Sequence, residues 1–166
     1  MYRTIQDFLE DWKRERISTI QIFRGLTDQS LDQRVTQDGR SLGFLAWHII
    51  TSLGEMGRQA GLDFQAPSKD SPQPSSSTEI VQVYELVSSS IASQVEKKWT
   101  DHSLLEGIEI FGQTWTRGAT LRALCTHQTH HRAQMTVLMR QAGLHVHGVY
   151  GPSREEWSRM GRKAPA

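Results

Sequence analysis

The chain has 166 residues, of which 37% are hydrophobic and 22% are charged, and its formal net charge is +1. That length suits a single domain over residues 1–166 with a sizeable hydrophobic core. A net charge so close to zero provides no strong field to attract nucleic acid or an acidic membrane, so we expect neither as a partner. Basic residues gather near the carboxyl terminus, but Glu155 and Glu156 interrupt them, which favours a solvated tail over a phosphate-binding segment.

Cysteine content and hydropathy narrow the class of protein further. Cys125 is the only cysteine, so no intrachain disulfide can form and nothing indicates an oxidising compartment. The amino-terminal residues carry acidic side chains and no long apolar core, unlike a signal peptide. The longest apolar stretch, residues 43–50, is too short to span a bilayer. We therefore expect a cytoplasmic protein.

The periodicity of apolar residues predicts four long helices. The first covers about residues 4–24, where the charged residues 13–16 form a polar patch outside the apolar stripe. Residues 26–40 are predicted to form an irregular connector. The second helix is predicted to begin after Ser41, its N-cap, and to continue to about Gly61.

A segment rich in proline and serine, residues 62–77, follows the second helix. Its composition excludes a helix and is typical of a linker. About sixteen residues at roughly 3.3 Å each can reach back along a helix of about 30 Å. We therefore predict that the second and third helices are parallel and joined by a crossover rather than a hairpin.

The third helix is predicted to begin with a capping box between Ser76 and Glu79 and to end near Trp99. Residues 100–117 are predicted to be non-helical. Within them, the alternating and β-branched sequence of residues 107–116 indicates a short strand or an extended loop.

The fourth helix is predicted over about residues 119–142, with Gly143 as a left-handed cap. The remaining tail, residues 144–166, is predicted to hold one short helix near residues 153–160. Gly148, Gly151 and Pro152 separate that short helix from the bundle.

The most informative residues are His127 and His131, which are four positions apart in the fourth predicted helix. At about 100° per residue they project from one face, one turn apart, and can bind one metal ion. They lie on or beside the apolar stripe, where a buried histidine needs partners for both ring nitrogens. This favours a metal over two polar residues on a solvated face. His48 in the second helix is either a satisfied core histidine or a third ligand, and three ligands would leave a coordination position open.

The sequence allows two interpretations for several other polar residues near these histidines, and none is assigned as catalytic. Glu55 is either a base behind the ligands or a surface charge. Gln134 either orients a ligand or a water, or is a surface amide. His145 and His147 either lie near the mouth of the site or are solvated loop residues. Cys125 lies about 160° around the helix from the first histidine of the pair, so we predict a buried structural thiol rather than a ligand.

Three motifs follow one another along the chain. They are RSLGFLAWHI at residues 40–49, FGQTWT at residues 111–116 and HQTHHRAQ at residues 127–134. In this order they resemble the second helix, the lead-in to the fourth helix and the fourth-helix signature (His-x-x-x-His-Arg-x-Gln) of the DinB-like family, the DinB/YfiT superfamily. The resemblance covers nearly the whole chain. Ala133 departs from it, since the family often has glycine there, and this should not affect a metal.

The resemblance implies an all-α four-helix bundle of up-down-down-up order, with a long crossover between helices two and three. It also implies a divalent metal held near one end of the bundle by His48, His127 and His131, and a homodimer. Some members transfer a low-molecular-weight thiol to an electrophile or isomerise a small substrate with its help. Many have no assigned activity, so the resemblance indicates no particular substrate.

The leading hypothesis is a divalent-metal-dependent enzyme, a thiol transferase or hydrolase, that acts on a small molecule and lowers the pKa of a metal-bound thiol or water. Three imidazoles suit zinc, nickel, iron or copper. Zinc or nickel is favoured, iron or manganese is the alternative, and a low-molecular-weight thiol is a candidate cofactor. The competing hypothesis is a non-catalytic metal-binding stress protein or structural dimer. A nucleic-acid-binding role, suggested only by the family name, is opposed by the near-zero net charge.

Overall fold

Four long helices, a small hairpin and a short terminal helix make up the computed structural model, which describes residues 2–165. The helices are α1 (Ile5–Arg24), α2 (Leu42–Gln59), α3 (Ser77–Lys98), α4 (Arg117–Gln141) and α5 (Arg154–Trp157). The antiparallel strands β1 (Gly107–Ile110) and β2 (Gln113–Thr116) directly precede α4. Short 3-10 helices cover Asp28–Asp32, His102–Leu105 and Ser158–Met160. The predicted all-α class is confirmed. Residues 107–116, for which the sequence indicated a short strand or an extended loop, form the hairpin.

Side-chain caps determine where the long helices begin. Ser41 Oγ accepts a hydrogen bond from the amide of Phe44 at 3.1 Å, and Ser76 Oγ accepts one from the amide three residues later at 3.4 Å. Each bond satisfies an amide that has no carbonyl partner in the first turn. Thr116 caps α4, so that helix begins two residues earlier than predicted. Gly143, just after α4, has the predicted left-handed conformation with φ of 72°.

The segment between α2 and α3 returns along α2. Near the end of α2, Phe64 lies so close to Gly57 that a Cβ at the glycine would be 2.6 Å from the aromatic ring. Nearer the start of α2, Trp47 Nε1–H donates to the carbonyl of Ser71 at 2.9 Å. The linker therefore brings the start of α3 back beside the start of α2, and the predicted parallel crossover is confirmed.

Contacts at the helix ends show which of the four long helices are parallel and which are antiparallel. Gly25, which follows α1, lies against Met139 near the end of α4, so these two helices are parallel. Gln59 at the end of α2 accepts a hydrogen bond from the amide of Phe111, just before α4, at 3.0 Å. Helices α2 and α4 are therefore antiparallel. Together with the parallel crossover, this is the expected up-down-down-up order.

The bundle encloses a continuous apolar core. Its fully buried members include residues of every long helix: Phe8, Ile22, Ile49, Leu53, Ile80, Val87, Leu121 and Met139. Trp12 is 1% exposed, and its Nε1–H donates to the carbonyl of Ser88 at 2.9 Å, so burial leaves no unpaired polar atom on that ring. No helix within residues 2–165 combines the length and the apolar character that a membrane crossing requires.

The prediction of a polar patch over residues 13–16 is wrong at Glu15. Lys13 and Arg14 are exposed, but Glu15 is only 6% exposed. It lies three residues after Trp12 and four before Thr19, which places it on the buried face of α1. A buried carboxylate requires a partner of opposite charge.

Candidate metal centre

Three histidines meet where α2 and α4 pack side by side. The ring centroids of His48 and His131 lie 4.6 Å apart, those of His127 and His131 4.5 Å, and those of His48 and His127 5.1 Å. One ring nitrogen of each lies within 4.8 Å of the other two. Within residues 2–165 this is the only such group of three or more histidine, cysteine or acidic side chains. The structure thus brings together all three histidines singled out in the sequence.

The hydrogen-bond partners differ from one histidine to the next. His131 Nδ1 lies 2.8 Å from the amide oxygen of Gln134, which can only accept, so this nitrogen carries the proton and Nε2 keeps its lone pair. His48 Nδ1 lies 3.4 Å from Ser52 Oγ. His127 Nδ1 is buried and has no hydrogen-bond partner among the described residues. A buried nitrogen of this kind calls for a further group.

Burial keeps the three imidazoles uncharged. Burial, with smaller contributions from the nearby His131 and His48 rings, lowers the pKa of His127 to about 4. Burial also lowers the pKa of His48 and of His131, although the hydrogen bond from His131 to Gln134 acts in the opposite direction. At neutral pH the cluster therefore offers three lone pairs, which is the state that binds a metal.

The donor set fits a divalent ion of the imidazole-binding kind. Metal–nitrogen bonds of about 2.0–2.1 Å place the nitrogens of a tetrahedral site about 3.4 Å apart, and the three nitrogens here are already within 4.8 Å of one another. No carboxylate or thiolate in the described chain joins the group. Nitrogen donors alone favour zinc, nickel, copper or iron over calcium or magnesium, which prefer oxygen.

An aromatic and a basic side chain adjoin the cluster on the α2 side. The Phe44 ring stacks on His48 with centroids 5.8 Å apart and an interplanar angle of 11°. The Arg40 guanidinium lies 5.2 Å from the centroid of the Phe44 ring. Its positive charge contributes to the lowered pKa of each of the three histidines. Arg40 lies in a quoted motif, but the sequence alone gave it no role.

The remaining histidines lie outside the cluster. His145 and His147 pair with each other, with ring centroids 4.9 Å apart, and His147 Nδ1 lies 3.7 Å from a carboxylate oxygen of Glu156. This favours the interpretation as loop residues over a place at the mouth of the site. His130 is exposed, as expected, although its ring centroid lies 4.9 Å from that of His131.

Two other candidates also lie apart from the three histidines. Glu55 is half-buried on α2 and makes no side-chain hydrogen bond with the described residues, so it does not support a ligand. Cys125 is 4% exposed and accepts a hydrogen bond from the Tyr2 hydroxyl at 3.3 Å. Burial raises the pKa of the Cys125 thiol to about 12, as expected for a structural cysteine.

A buried ion pair next to the cluster was not predicted. Arg132, which is 1% exposed, directs one guanidinium nitrogen to Glu15 Oε2 at 2.7 Å and to the Tyr150 hydroxyl at 2.8 Å. The Tyr150 hydroxyl in turn donates to Glu15 Oε1 at 2.8 Å. The available signal was the position of Glu15 on the apolar face of α1, three residues after Trp12.

The fold and the histidine cluster together define a class, the helical bundles in which histidines of two neighbouring helices form a group able to hold a metal ion. The chain belongs to the DinB family, a metal-binding family whose model matches residues 1–164.

Individual relatives agree with this assignment. The uncharacterised protein YrdA of Bacillus subtilis strain 168 is 43% identical over 165 residues, which cover 99% of each chain. The crystal structure of a DinB-like protein from Bacillus cereus ATCC 10987 is similar with a TM-score of 0.87 and 41% identity, over 90% of this chain and 100% of that one. The DinB-like protein YjoA of Bacillus subtilis, at 15% identity and a TM-score of 0.65 over 82% of this chain and 92% of its own, is similar in fold alone.

Proposed function

We propose that the protein is a divalent-metal-dependent enzyme, of the thiol S-transferase or hydrolase type, that acts on a small molecule. The observation that carries the proposal is the group of three neutral imidazoles, with one nitrogen of each within 4.8 Å of the others. His48, His127 and His131 would be the metal ligands. Three protein ligands are typical of catalytic sites because they leave a position for substrate or water, whereas structural zinc sites are usually closed by four.

The charge balance of the site favours chemistry over a purely structural role. Because three neutral imidazoles leave the charge of a divalent ion uncompensated, the ion would act as a Lewis acid that lowers the pKa of a bound thiol or water. Gln134 holds the proton on His131 Nδ1 and thereby keeps Nε2 free to ligate. We propose zinc or nickel as the metal, with iron or manganese as alternatives, and a low-molecular-weight thiol as cofactor.

Metal content tests the proposed binding of a metal ion by the three histidines. Protein purified without a nickel column and dialysed against zinc is analysed by inductively coupled plasma mass spectrometry. We expect about one zinc per chain in the wild type and a large loss in His127→Ala. His102→Ala, which removes an exposed histidine outside the cluster, is the matched control and should keep its zinc. Equal zinc in wild type and His127→Ala would contradict the site.

Assays of thiol conjugation and of ester hydrolysis test the proposed enzymatic activity. Metal-loaded protein is incubated with monobromobimane and a panel of low-molecular-weight thiols, including cysteine and glutathione, and with ester substrates for hydrolysis. We expect a rate above the uncatalysed reaction that is lost after chelation and in His127→Ala but kept in His102→Ala. A metal-loaded protein that accelerates neither reaction would favour the competing hypothesis, a non-catalytic metal-binding protein.

A further inference from the structure

A cavity of about 270 Å³ that opens to solvent lies between the connector that precedes α2 and the carboxyl-terminal half of α4, and Val35, Arg40 and Gln134 on its lining are exposed. Its lining residues are Val35, Gly39, Arg40, Leu45, Gln134 and Leu138. The aliphatic side chains form apolar walls, and the polar side chains of the lining are a guanidinium and an amide. Apolar walls with a few well-placed polar groups are typical of sites for small molecules, and this volume is close to the lower limit of about 300 Å³.

Two lining residues connect the cavity to the three-histidine group. Gln134 lines the cavity and also accepts the hydrogen bond from His131 Nδ1 at 2.8 Å. Arg40 lines the cavity and lies over the Phe44 ring, which stacks on His48. None of the three histidines lines the cavity itself, so a molecule there would contact their neighbours Gln134 and Arg40.

The Arg40 guanidinium has donors to offer. It makes no salt bridge and no side-chain hydrogen bond with any residue between 2 and 165, and its described partner is the face of Phe44. A guanidinium presents several N–H donors in a planar fork that matches a carboxylate. Because the amide oxygen of Gln134 is occupied by His131, its amide N–H groups remain as a second donor.

We infer that this cavity binds the carboxylate end of a small, otherwise apolar substrate, with Arg40 as the recognition residue and Gln134 as a second donor. The inference rests on the proposed function, since it takes the three-histidine centre as the reacting end of the same site. One guanidinium balances one carboxylate, whereas a doubly charged phosphate would keep an excess negative charge. The apolar walls suit a hydrocarbon body beside that single charge.

Isothermal titration calorimetry of the zinc-loaded full chain tests the inference with two probes, 3-phenylpropionate and its neutral counterpart 3-phenylpropionamide. We expect the acid to bind more tightly than the amide to the wild type. Loss of a charge-assisted hydrogen bond should weaken acid binding by about ten-fold to a hundred-fold in Arg40→Gln, with little effect on the amide. Arg14→Gln removes the same charge from an exposed position on α1 and should bind like the wild type.

The possible outcomes distinguish a failure of carboxylate binding in the cavity from a failure of metal binding at the histidines. Equal acid binding by wild type and Arg40→Gln, equal binding of acid and amide, or no binding of either probe by the wild type would overturn the inference. Zinc content measured on the same samples reports on the centre itself, and a wild type without zinc contradicts the proposed function. In that case the same comparison with chelator-treated protein decides whether Arg40 recognises a carboxylate.

Discussion

His131 is held in a single tautomer by a residue on the next turn of its own helix. The amide oxygen of Gln134 lies 2.8 Å from His131 Nδ1, so the ring proton is fixed there. The sequence left two roles open for Gln134, and this contact supports that of orienting a ligand. A ligand whose free nitrogen is fixed in advance loses less freedom when it binds a metal.

Replacement of Gln134 by leucine should weaken metal binding without destroying the site. The variant removes the acceptor for His131 Nδ1, and loss of such a contact typically lowers metal affinity by about 10–100-fold. Competition with a chromophoric chelator measures the zinc affinity of wild type and variant. Gln141→Leu, at an exposed position on the same helix, is the control and should match the wild type. An unchanged affinity in Gln134→Leu would show that the contact does not support the ligand.

The sequence predicted the proximity of His127 and His131 more directly than that of His48. The spacing of His127 and His131 alone places them on one face of a helix, because helix geometry needs no knowledge of tertiary packing. His48 depends on how α2 packs against α4, which spacing within one helix does not determine. Arg40 depends on the path of the connector before α2, and no periodicity predicts that path.

At the scale of elements, a polar network that is buried at Glu15 and Arg132 and exposed at Tyr150 joins two helices and the tail. Glu15 of α1, Arg132 of α4 and Tyr150 of the tail bond to one another over 2.7–2.8 Å. A second guanidinium nitrogen of Arg132 donates to Thr19 Oγ1 at 2.9 Å. The segment after α4 is therefore attached to the bundle at Tyr150, whereas the basic residues nearer the terminus are exposed, as expected for a solvated tail.

Glu15→Ala should destabilise the protein strongly, because it leaves the Arg132 guanidinium buried without its counter-charge. Removing one partner of such a pair typically costs about 3–5 kcal/mol. Urea unfolding followed by circular dichroism measures the free energy of unfolding. Glu10→Ala, at an exposed position on the same helix, should change it by less than about 0.5 kcal/mol. A loss of similar size in both variants would contradict the importance of the network.

The elements differed in how far the sequence predicted them. The crossover was predictable because proline and serine exclude a helix and because the segment is long enough to reach back along α2. The hairpin was not, because an isolated two-stranded hairpin has little stability of its own and depends on what it packs against. Its turn also lacks the usual signal: Phe111 adopts φ of 52° and Gly112 φ of 73°, where asparagine or aspartate commonly precedes the glycine.

At the scale of the whole molecule, the histidine cluster couples folding to pH. The pKa of His127 is lowered from 6.5 to about 4 in the folded chain. Between these pH values the unfolded chain binds more protons than the folded one, so stability decreases as the pH falls through this range. His48 and His131, whose pKa values are also lowered, act in the same direction.

The metal-free protein should therefore unfold at lower urea concentration at pH 5 than at pH 7.5. Urea titrations of chelator-treated protein at the two pH values measure the difference. His127→Leu should reduce the difference because it removes a histidine whose pKa is lowered from 6.5 to about 4, whereas His102→Ala should keep it. A midpoint that rises on acidification would contradict the assignment of three neutral imidazoles.

The homodimer and the cytoplasmic location remain predictions. Sedimentation equilibrium tests whether the protein is a homodimer.

We propose that one divalent ion is bound by His48, His127 and His131 together. Crystals of zinc-loaded protein, prepared without a nickel column, give anomalous difference maps on either side of the zinc absorption edge. We predict one peak per chain between α2 and α4, at about 2.0–2.1 Å from one nitrogen of each of the three imidazoles. The absence of a peak at the three histidines, or a peak held by other residues, would contradict metal binding by this cluster.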